Sequence, residues 1–415
     1  MTILSELRMR PALAGSRGWD ASRSTRLVLA GATLFVLLIG ANLATPLYPL
    51  LQSSLGLDSW AVSIAFSAYV FSLIAGLLAA GHWSDHIGRR AALLIAVLLG
   101  LAGGVLFGAA QDLLSLSLGR ALQGLGVALA TGASSAALRE LLPSRPEWAS
   151  RFTLFASSGG VAAGPLVGGL LSLLPEHTRT PFYLHAVLLL VLLVPLTVLR
   201  ARPAIAFSSS DGATPTVKAL APRRPSVSRE ARSQFWTASA VGFLSFAVFG
   251  FCLSLAPGYF AQIVGTDSRP LIGLLAGLTL AASALSQLFR AGGKFLAPAG
   301  LLVLAASLGL LGVAGATGSG WLLVVSCLAA GAGQGLAFRV VFNRVSLAVE
   351  PAKHAQIVST VYVLTYLGSA FPVLGLGAAA ARWGLPAAIV GFIALVASAL
   401  LALSAVLLRG ALDRR

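Results

Sequence analysis

Residues 60–110 read WAVSIAFSAYVFSLIAGLLAAGHWSDHIGRRAALLIAVLLGLAGGVLFGAA. Two apolar runs, at 60–81 and 91–110, flank a charged turn that contains Asp85 and Arg89. A helix needs roughly 20 apolar residues to cross a lipid bilayer, and each run is long enough. The stretch therefore predicts two membrane-spanning helices joined by a short polar turn.

The composition extends this prediction to the whole chain. Of its 415 residues, 57% are hydrophobic and 10% are charged, and the mean hydropathy is +0.89, far from the values of soluble domains. We predict an all-α integral membrane protein with twelve transmembrane helices in two six-helix repeats. The predicted spans are 27–50, 60–81, 91–110, 113–137, 151–174, 181–199, 235–262, 270–290, 295–315, 319–342, 354–381 and 385–408. The first run is full length and no small-residue cleavage site follows it, so we expect no cleaved signal peptide.

The net charge of +16 indicates a membrane orientation rather than nucleic acid binding. If the N-terminus is cytoplasmic, only Arg179, Arg269 and Arg382 of the 29 Lys and Arg residues lie in external loops. Arg120 and Arg339 lie inside spans, and the others are cytoplasmic. This asymmetry predicts cytoplasmic termini, in a plasma (bacterial inner) membrane with anionic lipid headgroups as partners.

A long polar stretch divides the spans into two sets of six. The predicted organisation is a cytoplasmic N-tail at 1–26, a six-helix bundle at 27–199, a cytoplasmic linker at 200–234, a second bundle at 235–408 and a cytoplasmic C-tail at 409–415. Matching residues recur at offsets of 211, 209 and 207: Gln123 and Gln334, Asp58 and Asp267, and Pro165 and Pro372. A near-constant offset favours a duplicated six-helix unit around a central site.

The charged turn, Gly81-His-Trp-Ser-Asp85-His-Ile-Gly88-Arg89-Arg90, resembles the loop signature of the major facilitator superfamily, G-x-L-x-D-R-x-G-R-K/R. In that family the loop latches the two halves in the outward-facing state. The resemblance implies this role for Gly81, Asp85, His86, Gly88, Arg89 and Arg90. The alternative interpretation is an ordinary positively charged cytoplasmic turn.

Physical chemistry gives these residue types local roles as well. The two glycines suit sharp turns at helix ends, and the two arginines suit the headgroup layer. Asp85 could accept hydrogen bonds from the N-terminus of a neighbouring helix. Trp83 replaces the usual Leu, and His86 stands where Arg or Lys is usual. Because histidine titrates near neutrality, we expect the latch to respond to cytoplasmic pH.

Span four contains Arg120-Ala-Leu-Gln123-Gly-Leu-Gly126-Val-Ala128, similar to the family pattern R-x-x-Q-G-x-G-A-A except at Val127. A charge near the middle of a spanning helix costs about 2.5–3.5 kcal/mol on insertion scales, so Arg120 is expected to face a partner or a polar cavity. The alternative is an arginine that extends to the membrane surface without a transport role, which is the interpretation we favour for Arg339.

Span five contains Gly160-Val-Ala-Ala-Gly164-Pro165-Leu-Val-Gly168-Gly169, which matches the antiporter-associated pattern G-x-x-x-G-P-x-x-G-G of that family. The proline kinks the helix, and the glycines allow close packing against a neighbouring helix. The resemblance implies an exporter. The alternative is that the glycines serve packing alone.

None of the thirteen acidic residues lies in the middle of a span. The candidates for proton coupling are therefore Asp58, Asp112, His185 and Arg120 itself. The alternatives are that Asp58 caps a helix and that His185 is a hydrogen-bonded histidine near the membrane surface.

Polar and aromatic residues on otherwise apolar spans are candidates for a substrate cavity. They are Asn42, Tyr48, Gln123, Gln334, Tyr362 and Tyr366. Tyr362 and Tyr366 are one helical turn apart, on one face. Without an acid, such a cavity suits neutral, amphipathic or anionic substrates better than dications. The alternative is that these residues only join helices to one another.

The sequence predicts a monomeric transporter that exports a small organic compound, in exchange for protons, by alternating access. The competing hypothesis is an uptake permease or facilitator for a small metabolite. No catalytic constellation lies in any predicted span, no phosphate-binding loop is present, and we expect no enzyme activity, cofactor or metal. Cys252 and Cys327 lie in spans, so a disulfide is not expected.

Overall fold

The structure is a computed structural model, and it describes residues 19–81, 83–200, 232–288, 293–349 and 354–412. These ranges are helical and contain no strand, apart from a single bridge between Trp19 and Leu199. The predicted all-α fold is confirmed. Most of the predicted linker (201–231) and parts of both tails (1–18 and 413–415) lie outside the described residues.

Twelve helices in the described part of the chain are long and apolar enough to cross a membrane, as predicted. Numbered in order, they are Arg23–Leu55, Ser59–Ala80, Arg89–Gly108, Leu113–Leu141, Glu147–Leu171, Thr180–Val198, Arg232–Leu253, Arg269–Ser286, Leu296–Thr317, Gly320–Ala348, Ser359–Trp383 and Leu385–Leu412. The helices of spans five and eleven begin earlier, at Pro146 and His354. We call the side on which span one begins the near side, and the opposite side the far side.

Several spans are longer on the near side than the hydropathy pattern predicts. The helices of spans four, ten and twelve extend beyond the predicted ends at 137, 342 and 408. Each extension contains an arginine: Arg139, Arg344 and Arg409. A long cationic side chain can keep its charge in water while its backbone stays helical. These helices therefore continue past the first arginine, where the predicted spans stop.

Spans one and seven are broken, whereas the sequence predicts them as continuous. Span one consists of helix Arg23–Asn42, a 3₁₀ turn at Thr45–Leu47 and helix Tyr48–Leu55. Span seven ends its first helix at Leu253 and resumes as helix Ala256–Val264. A proline stands at each break: Pro46 lies in the 3₁₀ turn of span one, and Pro257 is the second residue of helix Ala256–Val264. Proline has no amide hydrogen to donate to the preceding turn.

The two breaks stand at equivalent places in the two sets of six spans. Pro46 and Pro257 are 211 residues apart, the offset that also relates Gln123 to Gln334. Each broken span then ends at a glycine in the left-handed conformation, with φ of +63° at Gly56 and +65° at Gly265. A break and a terminal left-handed glycine at matching positions are what two related six-helix sets would be expected to share.

Glycines bring neighbouring spans into backbone contact. A Cβ atom built on Gly103 of span three would stand 2.7 Å from the carbonyl oxygen of Gly119 in span four. A Cβ atom on Gly300 of span nine would stand 2.7 Å from the carbonyl oxygen of Gly333 in span ten. In an apolar solvent, such close packing replaces the hydrophobic effect as the force that joins helices.

The described helices fall into two compact units. The first comprises Met1–Ala41, Phe71–Val161 and Arg179–Arg223, and the second comprises Asn42–Val70, Ala162–Thr178 and Arg224–Arg415. The second unit thus joins the far-side parts of spans one, two and five to spans seven to twelve. The predicted domains at 27–199 and 235–408 follow the sequence repeat and stay a prediction.

Six of the seven tryptophans are exposed and lie at or near span ends. On the near side these are Trp19, Trp148 and Trp236, and on the far side they are Trp60, Trp321 and Trp383. Tryptophan prefers the boundary between lipid and water, where its ring is half in each medium. Their placement fits helices that end at the two faces of a bilayer.

We expect replacement of the left-handed glycine Gly265 by alanine to destabilise the fold. A Cβ atom there meets nothing within 4 Å, so the cost is conformational and amounts to about 1–2 kcal/mol. The unfolding midpoint of purified G265A in detergent should fall. Gly309→Ala is the control, because its Cβ atom also meets nothing but its helix is regular. Equal midpoints for G265A and G309A would contradict the prediction.

Candidate functional site

The charged turn between spans two and three contains the short helix Trp83–Ile87. Gly88 separates this helix from span three with a φ of +90°, which side-chain-bearing residues rarely adopt. A Cβ atom built on Gly81 would stand 2.5 Å from the Leu77 carbonyl oxygen, and the Gly81 carbonyl in turn lies against Gly132 of span four. Both glycines therefore have local backbone reasons to be glycine.

Arg89 is the centre of a charged cluster on the near side of the first compact unit. Its Nη1 donates to Oδ1 of Asp85 at 2.5 Å and to Oγ of Ser84 at 2.6 Å. Its Nη2 and Nε donate to Oε1 of Glu140, at the end of span four, at 2.7 and 3.0 Å. The guanidinium thus ties the turn to two carboxylates, and Glu140 is a member that the sequence pattern does not indicate.

Arg90 binds a different helix. Its Nε donates to the carbonyl oxygen of Leu196 at 2.9 Å, and its Nη2 donates to that of Thr197 at 2.8 Å. These carbonyls lie at the C-terminal end of span six, where the negative end of the helix dipole favours a cation. Both arginines therefore bond to protein groups, and the headgroup-layer placement expected for them stays a prediction. His86 is half-buried on the short helix, and its pH response stays a prediction.

Arg120 is buried at the break of span one. Its Nη1 donates to the carbonyl oxygen of Ala41 at 2.5 Å and to Oε1 of Gln123 at 2.9 Å, and the residue is 2% exposed. Ala41 lies in the last turn of helix Arg23–Asn42, whose carbonyls need external donors. The guanidinium supplies one at the negative end of the helix dipole, so Arg120 faces a partner within the protein.

His185 of span six packs on the same stretch of span one. Its Nε2 lies 2.9 Å from the carbonyl oxygen of Val36, and because a carbonyl can only accept, Nε2 is the donor. The ring occupies the space where a side chain on Gly40 would stand. The residue is 5% exposed, and its Nδ1 has no hydrogen-bond partner among the described residues. His185 is thus a buried base with one unused lone pair.

The two acidic candidates cap helices on the far side. Oδ1 of Asp58 accepts from the Ala61 amide at 2.8 Å, at the start of span two. Oδ1 of Asp112 accepts from the Ser115 hydroxyl at 2.6 Å and the Ser115 amide at 2.7 Å, at the start of span four. The hydrogen bonds from Ser115 hold the pKa of the Asp112 carboxyl below its usual range, so it stays charged at neutral pH. A coupling role for either residue stays a prediction.

The glycines of span five make two close helix contacts. A Cβ atom on Gly160 would stand 2.6 Å from the Phe35 carbonyl oxygen, and one on Gly168 would overlap the Leu43 carbonyl, both in span one. Gly169 lies equally close to the backbone of Arg269 at the start of span eight. Gly164 and Pro165 are buried in the same helix.

A seam on the far side, within the second compact unit, joins spans of the two sets through backbone. Cβ atoms on Gly273 and Gly277 of span eight would overlap the carbonyls of Pro165 and Ala162 in span five. A Cβ atom on Gly377 of span eleven would overlap Ser63 of span two. In addition, Thr45 Oγ1 donates to the Leu253 carbonyl oxygen at 3.2 Å. We call these contacts the far-side seam.

Of the predicted cavity residues, Gln123 belongs to the first compact unit and the other five belong to the second. Gln123 is bonded to Arg120, and Oε1 of Gln334 accepts from the Ser283 hydroxyl. Asn42 and Tyr48 are buried on either side of the break in span one. Tyr362 and Tyr366 are neighbours, with their ring centroids 6.3 Å apart. Four phenylalanines join these tyrosines: Phe246, Phe249, Phe338 and Phe342.

A family model described as Major Facilitator Superfamily matches residues 30–373. Multidrug resistance protein 1 of Bacillus subtilis (strain 168) is 26% identical over 166 residues, which are 40% of this chain and 42% of that protein. Puromycin resistance protein pur8 of Streptomyces alboniger is 32% identical over 162 residues, which are 38% of this chain and 32% of that protein. Each match thus spans less than half of the curated relative.

The fold is also similar to that of a bacterial homologue of the human lysosomal transporter Spinster, solved in an inward-facing and occupied conformation. The TM-score is 0.74, with 16% identity, over 96% of this chain and 99% of that chain. At this identity the likeness shows the fold alone.

We expect Gly273→Val to open the far-side seam. Its added Cβ would overlap backbone, and overpacking costs typically about 1–3 kcal/mol, which corresponds to a roughly five- to hundredfold change in an equilibrium. The measurement is maleimide labelling of Ser63→Cys, a position that is fully buried in the seam, in a protein with Cys252 and Cys327 replaced by serine. Labelling should rise at least about fivefold.

Gly309→Val is the matched control, because this glycine meets nothing within 4 Å. Gly273→Ala should raise the labelling of Ser63→Cys less than Gly273→Val does. Because alanine is smaller, this variant tests the seam in a protein that is more readily folded. Labelling of Ser63→Cys that is unchanged in folded G273A and G273V would show that the glycine contacts do not hold the seam closed.

Proposed function

The chain belongs to the Major Facilitator Superfamily and is a membrane transporter rather than an enzyme, and from this premise we propose that it exports a small organic compound in exchange for protons. The observation that supports export is the Gly160–Gly169 segment, which matches the antiporter-associated pattern and whose glycines pack against spans one and eight. The names of the drug-resistance relatives favour a drug-like substrate.

The proposed orientation places the near side in the cytoplasm. The excess of Lys and Arg on that side supports it. The far-side seam then faces the outside, and the Arg89 cluster faces the cytoplasm. Because the seam is built from backbone contacts at glycines, it can separate without breaking salt bridges. Opening and closing of this seam is our proposal for the external step of alternating access.

We assign proton coupling to His185. Asp58 and Asp112 are engaged as helix caps, and arginine does not release its proton. His185 retains an unused lone pair on Nδ1 and bonds to span one through Nε2. Because charging a buried imidazole is costly, protonation would favour a state in which His185 meets water. Proton binding would thereby bias the position of span one.

Flux in proteoliposomes under an imposed pH gradient tests this function. Substrate movement should run opposite to the proton gradient and stop when the gradient is collapsed, for at least one compound of a panel that includes puromycin. Accumulation in the same direction as the protons would favour the uptake permease. If the flux of every transported compound in the panel is independent of the pH gradient, proton exchange is contradicted.

His185→Gln tests the assigned coupling residue. A glutamine amide can still donate a hydrogen bond to the Val36 carbonyl oxygen, but it cannot take up a proton near neutral pH. Gradient-driven flux should fall to the level seen without a gradient, while exchange of labelled for unlabelled substrate persists. His177→Gln, in the exposed loop after span five, is the control and should behave as wild type. Wild-type gradient dependence in H185Q would exclude His185 as the coupling group.

A further inference from the structure

We propose that six aromatic rings of spans seven, ten and eleven form the substrate site, and that it takes a planar aromatic compound without positive charge. The inference rests on the proposed transport function and names its substrate class. The rings are Phe246, Phe249, Phe338, Phe342, Tyr362 and Tyr366, here called the aromatic cluster.

The rings form a continuous network across three helices of the second compact unit. Phe246 stands edge-on to Tyr366 with centroids 5.5 Å apart, and it lies 6.0 Å from Phe338. Phe342 lies 5.3 Å from Tyr362. These separations are in the range of favourable aromatic pairs. Three spans thus present ring faces and edges to one another at one place.

Exposure distinguishes this cluster from ordinary core packing. Phe338 is buried, but the other five rings are only partly buried, although they lie within spans and four of them, all but Phe249, contact rings of other spans. Rings packed as core, such as Phe182 and Phe251, are fully buried. The aromatic cluster therefore leaves ring surface that a ligand can cover.

The tyrosine hydroxyls give the site its polar recognition. In the described part of the chain neither the Tyr362 nor the Tyr366 hydroxyl makes a hydrogen bond to the protein, although the carbonyl oxygen of Tyr366 accepts one from Oγ of Ser369. A tyrosine hydroxyl within a protein normally finds a partner. A ligand with an oxygen acceptor beside its ring would supply one to each.

The charges near the cluster select against cations. The described acids of the second unit, Asp58, Glu176 and Asp267, lie outside the spans or at their ends. Arg339 directly follows Phe338 on span ten, and its Nη1 lies 3.4 Å from the Gln287 carbonyl oxygen. Ring faces attract cations, but this attraction is smaller than the cost of burying an unpaired charge. A neutral or singly anionic aromatic compound does not need a carboxylate partner and is not repelled by Arg339.

Binding of 7-hydroxycoumarin to the purified full-length protein, followed by fluorescence anisotropy, tests the site. This probe is planar, neutral or singly anionic, and has oxygen acceptors. Tyr362→Phe removes one hydroxyl, and Phe342→Leu removes one ring while keeping an apolar side chain. Each should weaken binding about three- to tenfold, as expected from loss of one hydrogen bond or one ring contact.

Phe371→Leu is the matched control, because this ring is 56% exposed on the same span as the tyrosines, and its binding should equal that of wild type. A coumarin that bears a trimethylammonium group should bind at least about tenfold more weakly than 7-hydroxycoumarin. Unchanged affinity in both folded variants, or preference for the cationic coumarin, would overturn the inference.

The same proteoliposomes separate this inference from the proposed function. Binding that depends on Tyr362 and Phe342, without flux of any compound, would contradict transport and support the site. Proton-driven flux of other compounds, with no effect of either substitution on flux or on coumarin binding, would contradict the site and support transport.

Discussion

The broken backbone of spans one and seven is the constraint on which the rest of the site depends. Inside a bilayer an unpaired carbonyl is costly, and each proline in a break removes one amide donor. The structure meets this demand with groups from elsewhere. Arg120 of span four donates to Ala41, before the first break, and Thr45, inside that break, donates to Leu253 at the second. The intramembrane arginine and the joining of the two sets of spans thus have one physical cause.

The glycines of spans five, eight and eleven follow from the same solvent. Lipid gives helices little hydrophobic reason to associate, so close contact needs small residues. At the far-side seam the contacts are made by glycines against backbone and the small Ser63 side chain, together with the Thr45 hydroxyl, whereas the near side of the first unit uses the charges of Asp85, Arg89 and Glu140. Among the described residues, none of the contacts that define this seam is an ion pair, so no ion pair has to break when it opens. This property suits a surface that must form and separate in every transport cycle.

Hydropathy and charge predicted the twelve spans because a bilayer demands long apolar helices, and this demand is visible in composition. The breaks were missed because Pro46 and Pro257 stand within apolar runs. Glu140 was missed because its ion pair joins residues 51 positions apart, and no local pattern records such a contact.

Gly273 and Gly277 resemble any other small residues of a span until span five is packed against them. The phenylalanines of the aromatic cluster are equally inconspicuous, since Phe is common in lipid-facing positions. Among the six predicted cavity residues, the two tyrosines at helical spacing are neighbours in the structure, because residues one turn apart share a helix face.

The placement of polar groups suggests how protons and substrate could be coupled without sharing a residue. His185 and Arg120 bond to carbonyls of span one at Val36 and Ala41. Beyond the break, Thr45 of the same span bonds to Leu253 at the end of the helix that bears Phe246 and Phe249. A change of charge at His185 would act on span one, and span one bonds to the helix of the proposed substrate site. In such an arrangement the ligand needs no positive charge to compete with the proton. In the mechanism that we propose, coupling through the backbone of span one would not require a mid-span carboxylate, which the sequence lacks.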